Sequence, residues 1–324
     1  MSDSVLGIDL GGTKVAAAEL RDRRLGESVI EPTDCSGSDQ LIDQLASLVD
    51  NVRSDDLSAV GIGVPSVVEF ETGRVVSSVN IPLTDVPLRQ VLGERIGVPV
   101  YVDNDATVAA LAEAHDEDLR LVAHNLVMLT LGTGLGGGLV LGGRIYRGAT
   151  GGAGELGHTL IGLHLESSVP PPQGYPQPGS LEALAAGRAL DHLSVSAAEA
   201  NPDSALGRIR AAGKPVNGVQ AVDAAHAGDE TALGAVRFWA ERVGIGIANA
   251  INTFDPEEVV LGGGGLRAGE ILLEAAGRVA WGYVIPGLGS RTTIRLARHG
   301  VRAGVLGAAL LAAHEQDRRQ EAAR

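Results

Sequence analysis

Two glycine-rich turns, each placed between apolar segments, are the features that most restrict how this chain can fold. The first is Gly11-Gly12 within residues 5–20, and the second lies within residues 126–145, where Gly142-Gly143 turns the chain once more. Apolar runs on both sides of a glycine turn are typical of antiparallel strands joined in a hairpin. We therefore predict that one hairpin architecture occurs twice, without a repeat of sequence.

Outside the hairpins, strand-like and helix-like patterns alternate, which predicts an α/β fold. Residues 167–179 hold five of the 14 prolines and should form a loop, because proline lacks an N–H and has a fixed φ. The predicted strands are 57–64, 98–102 and 258–261. The predicted helices are 40–52, 88–96, about 105–114, 181–193, 220–227, 233–254 and about 304–313, the last followed by a frayed polar tail.

Composition narrows the class of protein. With 324 residues, 44% of them hydrophobic, the chain can form two domains. Its single cysteine, Cys35, excludes an internal disulfide and fits a reducing compartment. The net charge of -14 argues against nucleic acid as a partner, and neither a signal peptide nor a long apolar run indicates a membrane. We expect a cytoplasmic enzyme.

The first turn carries residues suited to phosphate. Gly11 and Gly12 let an anion approach the backbone, Thr13 and Lys14 add donors, and Asp9 can hold hydrated Mg²⁺. An ordinary hairpin turn explains the two glycines equally well.

The second turn, residues 132–138, contains a formal GxGxxG match. A dinucleotide-binding fingerprint must open a helix, whereas this segment continues as a strand, and the chain has no GxxxxGK[ST] motif. The turns near Gly11 and Gly134 thus remain candidates to hold one polyphosphate.

Each of the other polar and glycine-rich segments has two possible interpretations. The glycines of residues 262–265 leave space for an adenine, or they form a flexible loop. Glu155 and His158 can bond neighbouring hydroxyls of a sugar, although a lone histidine is more often structural. Asp105 stands where Asn104 or Asp103 can cap a helix, and each such residue is by itself a cap or surface group.

In order and spacing these segments resemble the ROK family, specifically its glucokinase-like members, over nearly the whole chain. The markers are DLGGTK at 9–14, GIGVP at 61–65, NDA at 104–106, LGTGLGGG at 131–138, GELGH at 154–158, LEALAAG at 181–187 and NTFDPEEVVLGGG at 252–264.

The resemblance implies an actin-like ATPase (ribonuclease H-like) fold, usually a homodimer, with ATP in a cleft between two domains. We expect the smaller domain to comprise 1–116 with about 304–324, and the larger one 117–303. Asp105 would be the catalytic base. Sugar hydroxyls would be bound by Asn80, Asn104, Glu155, His158 and Glu182. ATP with Mg²⁺ would be bound by Asp9, Gly11, Gly12, Thr13, Lys14, Thr133, Gly134, Gly263 and Gly264. The expected reaction is phosphorylation of a hexose, with glucose to glucose 6-phosphate as the first choice.

The chain departs from the family pattern in the region expected to recognise the sugar. The CxCGxxGCxE zinc motif of most ROK kinases has no cysteines here, so we expect no structural zinc. Asn80-Ile81-Pro82-Leu83 replaces the NLGW of many relatives, and Ser66 stands where they have glycine. Fructose, mannose or an N-acetylhexosamine remain alternative substrates.

A further alternative is a sugar-sensing ROK repressor. Such relatives carry a helix-turn-helix before the DLGGT segment, whereas eight residues precede Asp9 in this sequence, so we favour the kinase.

Overall fold

The computed structural model describes residues 4–78, 80–163, 172 and 174–322. Contacts divide the chain into two compact units. The first unit comprises 1–124, 138–154 and 298–324, and the second comprises 125–137 and 155–297. The predicted domain boundaries, 1–116 with about 304–324 and 117–303, remain a prediction; the first contact unit also takes in 138–154.

The described strands are β1 (Ser4–Leu10), β2 (Lys14–Arg21), β3 (Arg24–Leu25), β4 (Val29–Pro32), β5 (Leu57–Val64), β6 (Ser66–Glu69), β7 (Arg74–Ser78), β8 (Val100–Asn104), β9 (Leu126–Leu131), β10 (Leu135–Leu141), β11 (Arg144–Ile145), β12 (Glu258–Gly262) and β13 (Thr293–Leu296). The described helices are α1 (Ser38–Val52), α2 (Leu88–Ile96), α3 (Asp105–Glu113), α4 (Leu181–Ala185), α5 (Gly187–Ala200), α6 (Ala205–Ala211), α7 (Gly218–His226), α8 (Glu230–Phe254), α9 (Gly269–Tyr283) and α10 (Ala303–Ala322).

The first unit is built on a sheet with the strand order β3-β2-β1-β5-β8, in which β4 also pairs with β2. β1 and β2 are antiparallel, whereas β1, β5 and β8 run parallel. Asp9 is in register with Gly63, and Gly63 with Asp103. The carboxyl ends of three neighbouring strands therefore meet at one edge of this sheet, which is where Asp9 and Asn104 lie.

Glycines let α10 lie directly on this sheet. A Cβ at Gly7 would overlap the Val305 carbonyl oxygen, and one at Gly61 would overlap the Ala308 carbonyl oxygen. A Cβ at Gly307 on the helix itself would overlap the backbone of α3. Backbone therefore packs against backbone, and no side chain longer than hydrogen fits at these three positions.

The second unit contains the parallel strands β9, β12 and β13, with β12 between the other two. Its buried core includes Trp239 of α8, whose indole N–H donates to the Ala185 carbonyl oxygen at 2.8 Å. The strand β10 begins in this unit and continues into the first one.

Most predicted elements are present, including both hairpins, and β5 and α2 have the predicted bounds. β8 begins at Val100 rather than at residue 98, because Pro99 has no N–H to give to the sheet. The helix predicted over 181–193 is two helices, α4 and α5, separated by the extended Ala186. The polar tail, predicted to fray, is helical in its described part: α10 runs to Ala322, with Arg318 paired to Glu315 one turn earlier.

The proline-rich loop predicted over 167–179 lies partly outside the described residues. Those that are described, 172 and 174–179, form neither helix nor strand. In the described part of the chain, every helix is too short or too polar to span a lipid bilayer.

The tight packing of α10 predicts a large effect of one methyl group. Gly61→Ala should destabilise the protein by at least about 2 kcal/mol, because the helix backbone must move to admit the Cβ. Gly93→Ala in α2 is the control, since its Cβ would meet the Val98 carbonyl oxygen at an ordinary 3.5 Å; it should stabilise by up to about 1 kcal/mol. Urea unfolding measures both, and equal stability of the two variants would contradict the packing described.

Candidate active site

The turn between β1 and β2 presents free backbone donors. The Gly11 N–H donates to the Lys14 carbonyl oxygen at 2.9 Å, and the Thr33 hydroxyl donates to the Gly11 carbonyl oxygen at 2.7 Å. These bonds fix the base of the turn, whereas the N–H groups of Gly12 and Thr13 have no acceptor among the described residues. Free N–H groups at a braced turn are the arrangement that binds phosphate oxygens.

Asn80 lies against this turn. A Cβ at Gly12 would be 2.9 Å from the Asn80 Cβ, so only glycine allows the approach. The Asn80 side chain is exposed. The structure therefore brings a predicted sugar ligand next to a predicted phosphate ligand.

The Asp9 carboxylate at the end of β1 is largely buried. It lies against Gly304 in the first turn of α10, and the described residues give it no hydrogen bond or ion pair. Burial raises the pKa of the Asp9 carboxyl above its ordinary value, and the nearby Lys14 ammonium opposes this rise. Burying an anion without a partner costs free energy, and carboxylates in such surroundings are often functional groups that bind a ligand.

Asp105 is the first residue of α3, as predicted, and Asn104 is the N-cap. The Asn104 side-chain oxygen accepts from the N–H groups of Ala106 at 2.9 Å and Thr107 at 3.2 Å. Because Asn104 caps the helix, the half-buried Asp105 carboxylate is not needed as the cap, although it also accepts from the Ala106 N–H at 2.7 Å. Of the residues that the sequence offered as helix caps, Asn104 is therefore the one that caps α3.

Next to Asn104 in the chain, Asp103 forms a buried ion pair that no sequence pattern indicates. The Arg147 Nε donates to Asp103 Oδ2 at 2.7 Å, and the Arg147 guanidinium lies 3.4 Å from the centre of the Phe70 ring. Burial raises the pKa of the Asp103 carboxyl, while the Arg147 guanidinium and the Asn104 N–H favour its charged form. The pair fixes the end of β8 from which α3 starts. Its members are 44 residues apart, so no local pattern reveals it.

The turn between β9 and β10 in the second unit resembles the first one. The Gly132 N–H donates to the Gly134 carbonyl oxygen at 3.0 Å, and the Gly187 N–H donates to the Gly132 carbonyl oxygen at 2.8 Å. The exposed Thr133 and its neighbour Gly134 have N–H groups without an acceptor among the described residues. A second phosphate-binding turn is therefore available.

Glu182 contacts this turn directly. Its Oε2 accepts from the Leu135 N–H at 2.8 Å and would be 2.6 Å from a Cβ at Gly134. Glu182 lies in the first turn of α4, which is capped by Ser180. The sequence suggested only a sugar-binding role and gave no sign of this contact.

Glu155 immediately precedes a short 3-10 turn of which His158 is the last residue, with 3.6 Å between Glu155 Oε2 and His158 Nε2. The edge of the Tyr175 ring packs on the His158 ring, with 5.4 Å between ring centres. The end of the proline-rich loop is also tied to this region, because the Ile161 N–H donates to the Gly179 carbonyl oxygen at 2.8 Å. The described end of the loop thus contacts the His158 ring through Tyr175.

Gly263 and Gly264 follow β12 at the same end of the second unit. Gly263 has φ of 80°, and a Cβ there would be 2.7 Å from the Leu131 carbonyl oxygen. Leu131 immediately precedes the second turn. The predicted adenine and phosphate ligands of this unit are therefore neighbours.

Each unit thus gathers its own share of the predicted residues. The first unit contains the Gly11–Lys14 turn with Asp9 and Asn80. It also contains Asn104 and Asp105, which lie where β8 ends and α3 begins. The second gathers Thr133, Gly134, Glu155, His158, Glu182, Gly263 and Gly264 around residues 131–135. Within the described part of the chain, no three His, Cys, Asp or Glu side chains are clustered so as to hold a metal ion.

Comparison with known proteins identifies the family. The ROK family profile matches residues 5–315. The chain belongs to the ROK family. This confirms the predicted membership.

Curated relatives of this ROK protein include kinases for different sugars. A glucokinase of Halalkalibacterium halodurans is 34% identical over 328 residues, covering 98% of this chain and 97% of the relative. An N-acetyl-D-glucosamine kinase of Aliivibrio fischeri is 32% identical over 316 residues, covering 94% of this chain and 98% of the relative.

Among solved structures, a ROK family glucokinase from Streptomyces griseus, in complex with glucose and AMPPNP, matches with a TM-score of 0.78 and 30% identity. The match covers 96% of this chain and 99% of that one. The predicted fold class is confirmed: the ROK protein has the α/β actin-like ATPase fold.

The unpaired Asp9 predicts opposite changes in stability and activity. Asp9→Asn should be more stable than the wild type at about pH 7 and should lose activity. Because the pKa of the Asp9 carboxyl is raised in the folded protein, the wild type loses stability as the pH rises from the ordinary pKa through the raised one. The stability advantage of Asp9→Asn over the wild type should therefore grow over that interval.

Thermal unfolding between about pH 4 and about pH 7 measures this advantage. Asp116→Asn is the control, because the Arg120 backbone N–H lowers the pKa of the Asp116 carboxyl, so this substitution should change the stability with the opposite sign. An Asp9→Asn variant that is less stable than the wild type at neutral pH would show that the carboxylate has a structural partner.

Proposed function

We propose that this ROK protein is an ATP-dependent sugar kinase that phosphorylates a hexose, with glucose converted to glucose 6-phosphate as the first candidate. The observation that carries the proposal is the full-length similarity to the Streptomyces griseus glucokinase solved with glucose and AMPPNP. The glucokinase from Halalkalibacterium halodurans supports it, as do the two turns with free N–H groups.

Asp105 is assigned as the base. Its carboxylate accepts the proton of the sugar hydroxyl while the hydroxyl oxygen forms a bond to the γ-phosphorus of ATP and the bond from that phosphorus to ADP breaks. A strong base is unnecessary, because phosphoryl transfer depends mainly on positioning and on stabilisation of charge. The positive end of the α3 dipole favours the ionised carboxylate.

The remaining binding roles are divided between the two units. In the first, Asn80 and Asn104 bind sugar hydroxyls, and the turn with Gly11, Gly12, Thr13 and Lys14 binds phosphate. In the second, Glu155, His158 and Glu182 bind the sugar. Thr133 and Gly134 bind phosphate there, and Gly263 and Gly264 make space for the adenine.

Asp9 suits Mg²⁺, because enzymes that transfer phosphate usually bind this ion through one or two carboxylates and the substrate phosphates. The ion would neutralise charge on the phosphates, and the unpartnered Asp9 carboxylate would hold it or its bound water. No structural zinc, a homodimer, a cytoplasmic location and a role in glycolysis remain predictions.

A different sugar is the second candidate. The N-acetyl-D-glucosamine kinase of Aliivibrio fischeri is nearly as similar as the glucokinases. Ile81 and Leu83 are buried in the segment that replaces the NLGW pattern. Ser66 is buried too, and its carbonyl oxygen accepts from the Asn104 side chain at 3.4 Å. These departures adjoin two proposed sugar ligands, so the sugar that fits best can differ from glucose.

A substrate panel tests the function. Glucose, fructose, mannose, N-acetylglucosamine and N-acetylmannosamine are each incubated with the protein and with ATP or inorganic polyphosphate, and sugar phosphate is detected by mass spectrometry. We expect one hexose to be phosphorylated from ATP. Binding of a sugar without any product would contradict the kinase and favour a sugar sensor.

The assigned base makes a sharper prediction. Asp105→Asn should lower kcat by at least about 100-fold, because the proton acceptor is lost. The free energy of unfolding should stay within about 1 kcal/mol, because Asn104 still caps α3. Asp39→Asn, in the first turn of α1, is a matched control with an exposed carboxylate and should keep full activity. An undiminished rate in Asp105→Asn would refute the assignment.

A further inference from the structure

The two carboxylate oxygens of Glu182 have different surroundings. Oε2 accepts from the Leu135 N–H at 2.8 Å and lies against Gly134. Oε1 has no hydrogen-bond partner among the described residues. One oxygen is thus bound to the second phosphate turn, and the other remains able to accept from a ligand.

Besides the Gly132 N–H, which donates to the Gly134 carbonyl oxygen at 3.0 Å within the second turn, residues of α4 and α5 hold this turn from outside. Gly132, at its start, is held by the Gly187 N–H at 2.8 Å. The exit of the turn is held at the Leu135 N–H by Glu182, and Thr133 at the tip is exposed. The direction of the free N–H groups of Thr133 and Gly134 therefore depends on where Glu182 holds Leu135.

The main chain of the second unit is arranged to keep Glu182 in this place. Ser180 caps α4 by accepting from the Ala183 N–H at 3.2 Å, and the Leu181 N–H donates to the Thr159 carbonyl oxygen at 2.8 Å. After Ala185 the chain leaves the helix, and the Gly187 N–H reaches the turn instead of continuing α4. Glu182 of α4 therefore holds the exit of the second turn, and Gly187 at the beginning of α5 holds its start.

We propose that Glu182 is a positioning residue that couples sugar binding to the conformation of the second phosphate turn. This inference rests on the proposed function. A sugar hydroxyl that donates to Oε1 fixes the plane of the carboxylate, so that Oε2 stays on the Leu135 N–H and the free N–H groups keep the direction that binds phosphate. Hydrogen bonds to a carboxylate are strong enough for such control.

Coupling of this kind is reciprocal. If bound sugar increases the affinity for nucleotide by some factor, bound nucleotide must increase the affinity for sugar by the same factor. The enzyme would then hold ATP firmly when an acceptor hydroxyl is present, which limits transfer of the phosphoryl group to water.

Glu155 provides a matched control within the same unit. It is also a proposed sugar ligand, but its side chain is half exposed and pairs with His158 rather than with the turn. Glu155→Gln should weaken sugar binding and leave the coupling between sugar and nucleotide intact.

The test is calorimetric titration with AMPPNP and Mg²⁺, without glucose and with glucose at saturation for each variant. In the wild type, glucose should tighten AMPPNP binding by at least about fivefold. Glu182→Gln keeps an acceptor for the Leu135 N–H but loses the charged acceptor for the sugar. Its affinity for AMPPNP alone should stay within about twofold of the wild type, and its coupling factor should fall to about one. Glu182→Ala also loses the bond to the turn, so AMPPNP alone should bind about tenfold more weakly.

Two results would overturn the inference. One is a Glu182→Ala variant that binds AMPPNP as the wild type does, and the other is a Glu182→Gln variant that retains the wild-type coupling factor. If Glu182→Ala does not fold, the coupling factor of Glu182→Gln alone decides. Failure of the proposed function looks different, because the wild type would then not bind AMPPNP and would phosphorylate no sugar of the panel, whether or not it binds one. If another sugar of the panel is the substrate, it replaces glucose in the titration.

Discussion

The contact of α10 with the glycines of β1 and β5 is the one on which the first unit depends. Gly7 and Gly61 admit the helix backbone, and Gly307 admits the backbone of α3 in turn. A helix this close to the sheet places Gly304 against Asp9 and buries much of the carboxylate. The packing that makes the unit stable therefore also buries a carboxylate that has no hydrogen bond or ion pair among the described residues, which is a trade-off often found at functional sites.

The second unit holds its turn by different contacts. Its turn is held by one main-chain bond from Gly187 and by the Glu182 carboxylate, and the N–H groups of Thr133 and Gly134 have no acceptor among the described residues. In the first unit, Thr33 braces the corresponding turn. The two hairpins are alike in shape, but different elements stabilise them, which agrees with their lack of sequence repeat.

The sequence predicted the hairpins, the α/β alternation and the position of Asp105, because each depends on local patterns of glycines, apolar residues and caps. It did not predict Arg147 as the partner of Asp103, since a buried ion pair between residues 44 positions apart leaves no local pattern. It also merged α4 and α5. The apolar pattern continues through Ala186, and only the contact of Gly187 with Gly132 shows why the helix stops there. The assignment of site residues came from family motifs rather than from periodicity, and their roles remain proposals.

We propose that a phosphoryl group passes from ATP to a sugar hydroxyl beside Asp105. The most direct test of this proposal uses ATP labelled with ³²P in the γ-position, incubated with the purified protein and with each hexose in turn, with the products separated by chromatography. We expect the label to move into the phosphate of one hexose and an equal amount of ADP to appear. Label that remains in ATP, or that appears only as inorganic phosphate with every sugar, would contradict it.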